Sequence, residues 1–344
     1  MRSTPLLVSW AAIGLSATLS TVAAEPVGEP AVRAAITKSI PRLEQAMKDS
    51  ADQRKCFTCH NQALPMIAMA AARQRGFAVD DANFKRQHQH TVDHLAGGKA
   101  RYVEGRGQGG RVVTAGYALW TLEVAGQERN ELTSLVAKYL LETQKKNEYW
   151  HQSSKRPPTA GSDFMTTYIA LRALQVFGAD AQQPALQERS QQVRKWLQTA
   201  MPNDHEDRVF RLRLIHLLKE DPQRVNQAVD ALLKSQREDG GWSQTEKLTS
   251  DAYATGTALA TLLEVQPQSP HADAIARATR FLIDQQLEDG SWHVTTRADG
   301  FQEYFEAGYP HDEDQFISVA AGAWATNALL LTLPPLDQAT ASPR

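Results

Sequence analysis

Cys56-Phe57-Thr58-Cys59-His60 is the stretch of this chain whose residue types and spacing point most directly to chemistry. Two thiols three positions apart, followed at once by an imidazole, form the pattern for covalent attachment of a c-type haem. Each thiol adds across a vinyl group of the porphyrin, and the imidazole takes the proximal position on the iron. On this reading Cys56, Cys59 and His60 hold the cofactor. His293, His311 and His151 are the candidates for the distal iron face, because Met66 is too close in sequence to His60 to reach round. Zinc is an alternative, using the same three residues and a fourth ligand from a neighbouring loop. A plain or redox-active disulfide is another, although a bridge across so short a loop removes little chain entropy. Cys56 and Cys59 are the only cysteines in the chain.

A second group of candidates lies near the C-terminus. His311-Asp312-Glu313-Asp314 concentrates carboxylates at the expected start of the last helix. Asp312 and Asp314 are therefore the candidate acids if the protein is an enzyme. The loop before them, His293 to His311, is long and carries Phe301, Tyr304, Phe305 and Tyr309. Long loops in compact domains often act as lids or binding loops, and this one is expected to cover the haem or a cavity.

The elements that must position these residues repeat. An apolar helical segment ends in Gln236-Arg237-Glu238-Asp239-Gly240-Gly241-Trp242, and another in Gln286-Leu287-Glu288-Asp289-Gly290-Ser291-Trp292. Gln144 to Trp150 is a degenerate copy with Glu148 in the glycine position. The glycine allows a left-handed helix end, the tryptophan folds back as an apolar plug, and the glutamine amide can bind backbone groups left free there. Two small-residue segments, Ser162 to Leu171 and Ser250 to Leu259, align without gaps and suit closely packed inner helices. Read in alternation, the chain gives six amphipathic outer helices starting near Ala31, Asn83, Glu131, Ala185, Gln223 and Ala272. Six inner helices start near Asn61, Arg111, Asp163, Glu206, Asp251 and Asp314. No alternating strand pattern competes, so the fold class is all-α, an (α/α)6 barrel of six hairpins. All six inner starts should then open on one rim. Asp163 and Asp251 are expected to cap their helices. Arg111 and Glu206 suit capping poorly and, with Tyr253 nearby, are expected to face a ligand at the mouth.

The Gln-x-x-x-Gly-x-Trp turns resemble the QW repeat of squalene and hopene cyclases and the prenyltransferases related to them. Nearly the whole chain after residue 24 resembles the single-barrel, exported squalene-cyclase-like proteins that carry an N-terminal C-x-x-C-H motif. The resemblance implies an α/α toroid. It also implies two further readings of the rim: prenyltransferase β subunits hold zinc there with Asp, Cys and His, and complement-like toroids carry an internal thioester whose Cys-x-x-Gln spacing recurs in Cys59 to Gln62. The glycine and glutamate usual inside that thioester are missing here. Cyclases of this family protonate an alkene with Asp-x-Asp-Asp, which this chain lacks, and His311 to Asp314 is the nearest cluster. A cyclase or transferase acting on an apolar isoprenoid-type substrate is thus an alternative to a redox role, and a module binding a lipid or peptide is a third.

Residues 1–24 read as a secretory signal: Arg2, an apolar run from Leu6 to about Leu19, and a small-residue cleavage site at Val22-Ala23-Ala24. The run is shorter than the roughly 20 residues of a membrane span. The expected address is periplasmic or secreted, with one toroidal domain over residues 25–333 and a tail over 334–344. Net charge is −2, and cationic residues are scattered, so no basic stripe suggests nucleic acid as a partner. The expected partners are a redox protein or an apolar small molecule.

Overall fold

A computed structural model describes residues 26–334 apart from 155 and 301–303. The expected leader, Phe301 and the tail from residue 335 onward lie outside the described residues. Outer helices α1 (Glu29–Gln53), α3 (Asp81–Gly97), α6 (Glu131–Glu142), α8 (Gln183–Thr199), α10 (Pro222–Leu233) and α12 (Ala272–Asp284) alternate with inner ones. The inner helices are α2 (Leu64–Gln74), α5 (Arg111–Val124), α7 (Asp163–Phe177), α9 (His205–Leu217), α11 (Ala252–Val265) and α13 (Gln315–Leu331). The sequence pattern did not anticipate α4 (Lys99–Val103), a short turn of helix. A π-helical turn, Cys59–Ala63, leads into α2. No helix among the described residues is long and apolar enough to cross a membrane.

The two QW turns work by hydrogen bonding as well as by packing. Trp242 and Trp292 are fully buried. Each indole Nε1 donates to a carbonyl in the last turn of the preceding outer helix: Trp242 to Leu232 at 2.9 Å and Trp292 to Leu282 at 2.7 Å. The glutamine amides reach both their own turn and the next outer helix. Gln236 donates to Gly240 and Ala274, and Gln286 to Gly290 and Ala35, so each repeat is tied to its neighbour. Gly240 adopts φ 85°, and a Cβ there would stand 2.7 Å from the Arg277 carbonyl oxygen. The degenerate third copy keeps the Trp150 bond to the Leu140 carbonyl at 2.8 Å. Lacking the glycine, it relies on Arg189, which stacks 3.9 Å over Trp150 and donates to the Asn147 carbonyl.

The inner helices approach closely because their facing residues are small. A Cβ on Gly256 of α11 would lie 2.7 Å from the Ala325 nitrogen of α13. Helix α13 packs on α11 and on α2, and α1 packs on α12 and α13, so the last hairpin returns to the first. The seam is held by Thr326 donating to Ser39 at 2.8 Å and by Arg42 donating to the Asp289 carbonyl at 2.8 Å. The ring is closed rather than an open superhelix.

Candidate functional site

The loops that precede the inner helices meet on one rim, and hydrogen bonds stitch them together in ring order. Ser153, before α7, donates to the Gly110 carbonyl before α5 at 3.2 Å. Ser162 at the start of α7 donates to Asp207 of α9 at 2.6 Å. The His205 amide of α9 donates to the Gln244 carbonyl before α11. Arg297, before α13, donates to Gln244 at 2.8 Å and to Asp204 at 3.0 Å. Asn61, before α2, donates to the Ala307 carbonyl at 3.4 Å. Asn61, Arg111, Asp163, Glu206, Asp251 and Asp314 therefore stand on the same rim as the two thiols.

Their roles differ from a uniform ring of caps. Asp251 caps α11, accepting from the Ala254 amide at 2.9 Å. Asp163 does not cap α7. Ser162 does, accepting from the Met165 amide, because it occupies the position just outside the helix and Asp163 lies one residue inside. Asp163 instead accepts from the Gln152 amide at 2.8 Å and pairs with His151. Arg111 opens α5 and lines an open, polar cleft of about 900 Å³ with Gln144, Glu148, Tyr149, His151 and Ser153; none of Cys56, Cys59 and His60 lines it.

The thiols are free. Cys56 is exposed in the loop, whereas Cys59 opens the π-helical turn and is half-buried. Burial pushes the Cys59 thiol up to about 12, against the pull of the Arg156 guanidinium. Burial, helped by the charge of Arg156, lowers His60 to about 4, so its imidazole is neutral at physiological pH. The His60 ring packs against Phe316 at 5.6 Å. The last loop lies over the motif: Phe305 carries the Arg54 guanidinium 4.3 Å above its ring, and Ala307 accepts from Asn61. Tyr309 is buried as a plug, whereas Tyr304 is exposed.

The three histidines considered for the distal face are engaged elsewhere. His293 bonds Asp314 at 2.8 Å and stacks on His311 at 4.7 Å. His311 bonds Ser291 at 2.9 Å, and His151 bonds Asp163. Asp314 also accepts from the Thr296 amide, which makes it an anchor of the loop, and Asp312 lies on the exposed turn before α13. Among the described residues, no three of His, Cys, Asp and Glu gather in a way that could hold a metal ion.

Glu206 is the buried acid of the rim. It is 2% exposed and accepts from the Tyr253 hydroxyl at 3.0 Å. Burial, reinforced by Asp204 and Asp207 and opposed by Tyr253 and Arg297, raises its pKa well above the usual carboxylate range. Tyr117, Tyr168, Phe210, Trp120 and Trp324 are 0–4% exposed, and their rings pack against one another at 5.4–6.3 Å. The buried Arg213 guanidinium sits among them, paired with Glu264 at 2.7 Å. The sequence pattern missed Tyr117, Arg156, Phe316 and Arg213. For Tyr117 a signal existed: a polar group on a helix largely given over to small or apolar residues.

The described residues form a closed ring of six helical hairpins, the fold of an α/α toroid. Residues 209–326, from α9 into α13, match the family model of the squalene-hopene cyclase C-terminal domain. A variant of the type II terpene cyclase MstE from Scytonema, in complex with merosterolic acid A as product, is similar at TM-score 0.56 and 14% identity, covering 88% of this chain and 97% of that one. The same enzyme with geranylgeranyl dihydroxybenzoate as substrate matches at TM-score 0.54, 14% identity and the same coverage. A possible member of the GH105 family from Salmonella enterica serovar Paratyphi A matches at TM-score 0.53 and 14% identity, covering 89% and 94%. At such identities the likeness concerns the fold. No curated protein matches the chain at a significant level.

Proposed function

We propose that this toroid is an exported redox protein carrying a c-type haem on Cys56 and Cys59, with His60 as the proximal ligand. The observation that carries the reading is the state of these three residues at the barrel mouth. The thiols are free, one exposed and one at the first turn of an inner element, and the imidazole is neutral against an aromatic wall. A neutral imidazole is the form that ligates iron. The thiols suit thioether formation, in which the S–H adds across a vinyl bond. When bound, the haem supplies a one-electron couple. Were haem bound, Phe316 would support His60, while His151, His293 and His311 are held by Asp163, Asp314 and Ser291.

The test is covalent haem on protein produced in the periplasm with the c-type maturation machinery. Haem staining and a pyridine haemochrome spectrum should survive denaturation in the wild type. Cys56→Ser and Cys59→Ser should each weaken the stain, and the double variant should abolish it. A fully matured preparation without covalent haem sinks the reading. An enzyme acting on an apolar isoprenoid is compatible with the fold, and the MstE ligands support it by analogy.

A further inference from the structure

The cleft at Arg111 plays no part in the haem reading. Its volume of about 900 Å³ lies within the roughly 300–1,000 Å³ of clefts that hold small molecules. Arg111 at the start of α5 stands on one side, and the turn from Gln144 to Ser153, between α6 and α7, forms the other. The Ser153 hydroxyl joins the two by donating to the Gly110 carbonyl at 3.2 Å. Both sides hold a non-glycine residue in the left-handed region, Arg111 at φ 48° and Gln144 at φ 53°. Such backbone is costly for a side chain with a Cβ, and it recurs where a site dictates the conformation.

The unmatched charge here is positive. The Arg111 guanidinium is exposed and, like the Lys145 and Lys146 ammonium groups on the facing turn, makes no hydrogen bond or ion pair among the described residues. The acids are already matched: Glu148 meets Lys195 at 2.6 Å, and Asp163 holds His151 Nδ1 at 3.0 Å and the Gln152 amide at 2.8 Å. Groups for hydroxyls are also present. Holding Nδ1 leaves His151 Nε2 without a partner among the described residues, and Gln152 Oε1 is buried and unpaired. Tyr149 lies on Trp196 with ring centroids 4.5 Å and planes 22° apart, so its ring is held flat at the wall.

We propose that this cleft binds an acidic saccharide, with Arg111 clasping a sugar carboxylate and Tyr149 offering its ring to the C–H face of a pyranose. The planar guanidinium matches a carboxylate with two parallel hydrogen bonds, which an ammonium cannot do. His151 and Gln152 then serve the ring hydroxyls. An apolar chain would gain little in so polar a cleft. An acidic peptide would use the cations but would leave the fixed aromatic face and the hydroxyl partners idle.

The experiment is isothermal titration of the purified protein with three probes: a β-1,4-linked glucuronic acid trimer, the neutral glucose trimer of the same linkage, and a tetra-aspartate peptide. The uronate trimer should bind at least about tenfold more tightly than either of the others, and its affinity should fall with added salt. Arg111→Gln should remove that preference, bringing the uronate down to the neutral trimer. Arg111→Lys, which keeps the charge and loses the fork, should restore only part of it. Tyr149→Ala should weaken both saccharides by a similar factor. Arg111 is exposed, so the melting temperature of its variants should match the wild type, which separates lost binding from lost folding. No binding of the uronate at millimolar concentration overturns the proposal, as does equal affinity for the two saccharides or a preference that survives in Arg111→Gln. Tighter binding of the peptide overturns the saccharide assignment. None of these results depends on haem being attached.

Discussion

His205 and Glu206 are adjacent, both about 2% exposed, and they respond to burial in opposite directions. Burial lowers His205 to about 3, and its Nε2 bonds the Thr257 hydroxyl at 3.1 Å. The unfolded chain therefore binds the proton first. Stability from this group is complete above the unfolded value of about 6.5 and is lost as pH falls towards about 3. His60 and His94, each lowered to about 4, act with the same sign. Denaturant titrations of the protein should show stability declining through this acidic window. His205→Gln, able to keep a bond to Thr257, should blunt the decline by a few kcal/mol, on the order of 1.4 kcal/mol per pKa unit. An unchanged acid limb would show that His205 is not buried neutral.

The outer helix with its QW turn is the unit in which local and neighbouring forces combine. Trp242 fills space and caps the Leu232 carbonyl, so two substitutions separate the terms. Trp242→Ala should cost about 3–5 kcal/mol in equilibrium unfolding, as a large core truncation does. Trp242→Phe keeps much of the packing and leaves the carbonyl unpaired, which should cost about 1–3 kcal/mol. Equal costs for the two would mean that the bond dominates and packing does not. The same reasoning explains why the copy without glycine survives. Its strain falls on Gln144, with φ 53°, and Arg189 supplies the missing tie.

Closure distinguishes the whole molecule from a stack of repeats. Helix α13 buries nearly its whole length against α11, α2 and α1, and Thr326 reaches Ser39 across 287 residues of chain. An open solenoid loses a terminal repeat gradually, whereas a ring that loses one exposes two faces. The intact ring should therefore melt in a single cooperative thermal transition, and deleting the chain beyond residue 284 should remove it. A truncated protein that melts cooperatively near the original temperature would refute closure as a source of stability.

The helix boundaries were legible because they rest on local chemistry. A glycine at φ 85° and a tryptophan ten residues after the carbonyl it caps need only a short stretch of chain to declare themselves. The small-residue pattern of the inner helices likewise put Arg111, Asp163 and Asp251 within a residue of where the helices begin. The thiols and imidazole of Cys56 to His60 are neighbours in sequence, so the motif is visible without the fold. Tertiary structure alone decided the rest. Ser162 rather than Asp163 became the cap because cap geometry turns on one residue of register. His293 and His311 were taken up by each other and by Asp314 and Ser291 once the last loop folded over the rim. Glu206 became a buried acid with a raised pKa only when α5, α11 and the Arg297 loop closed around it. Burial is a property of what lies on every side of a group, and those sides come from residues far apart in the chain.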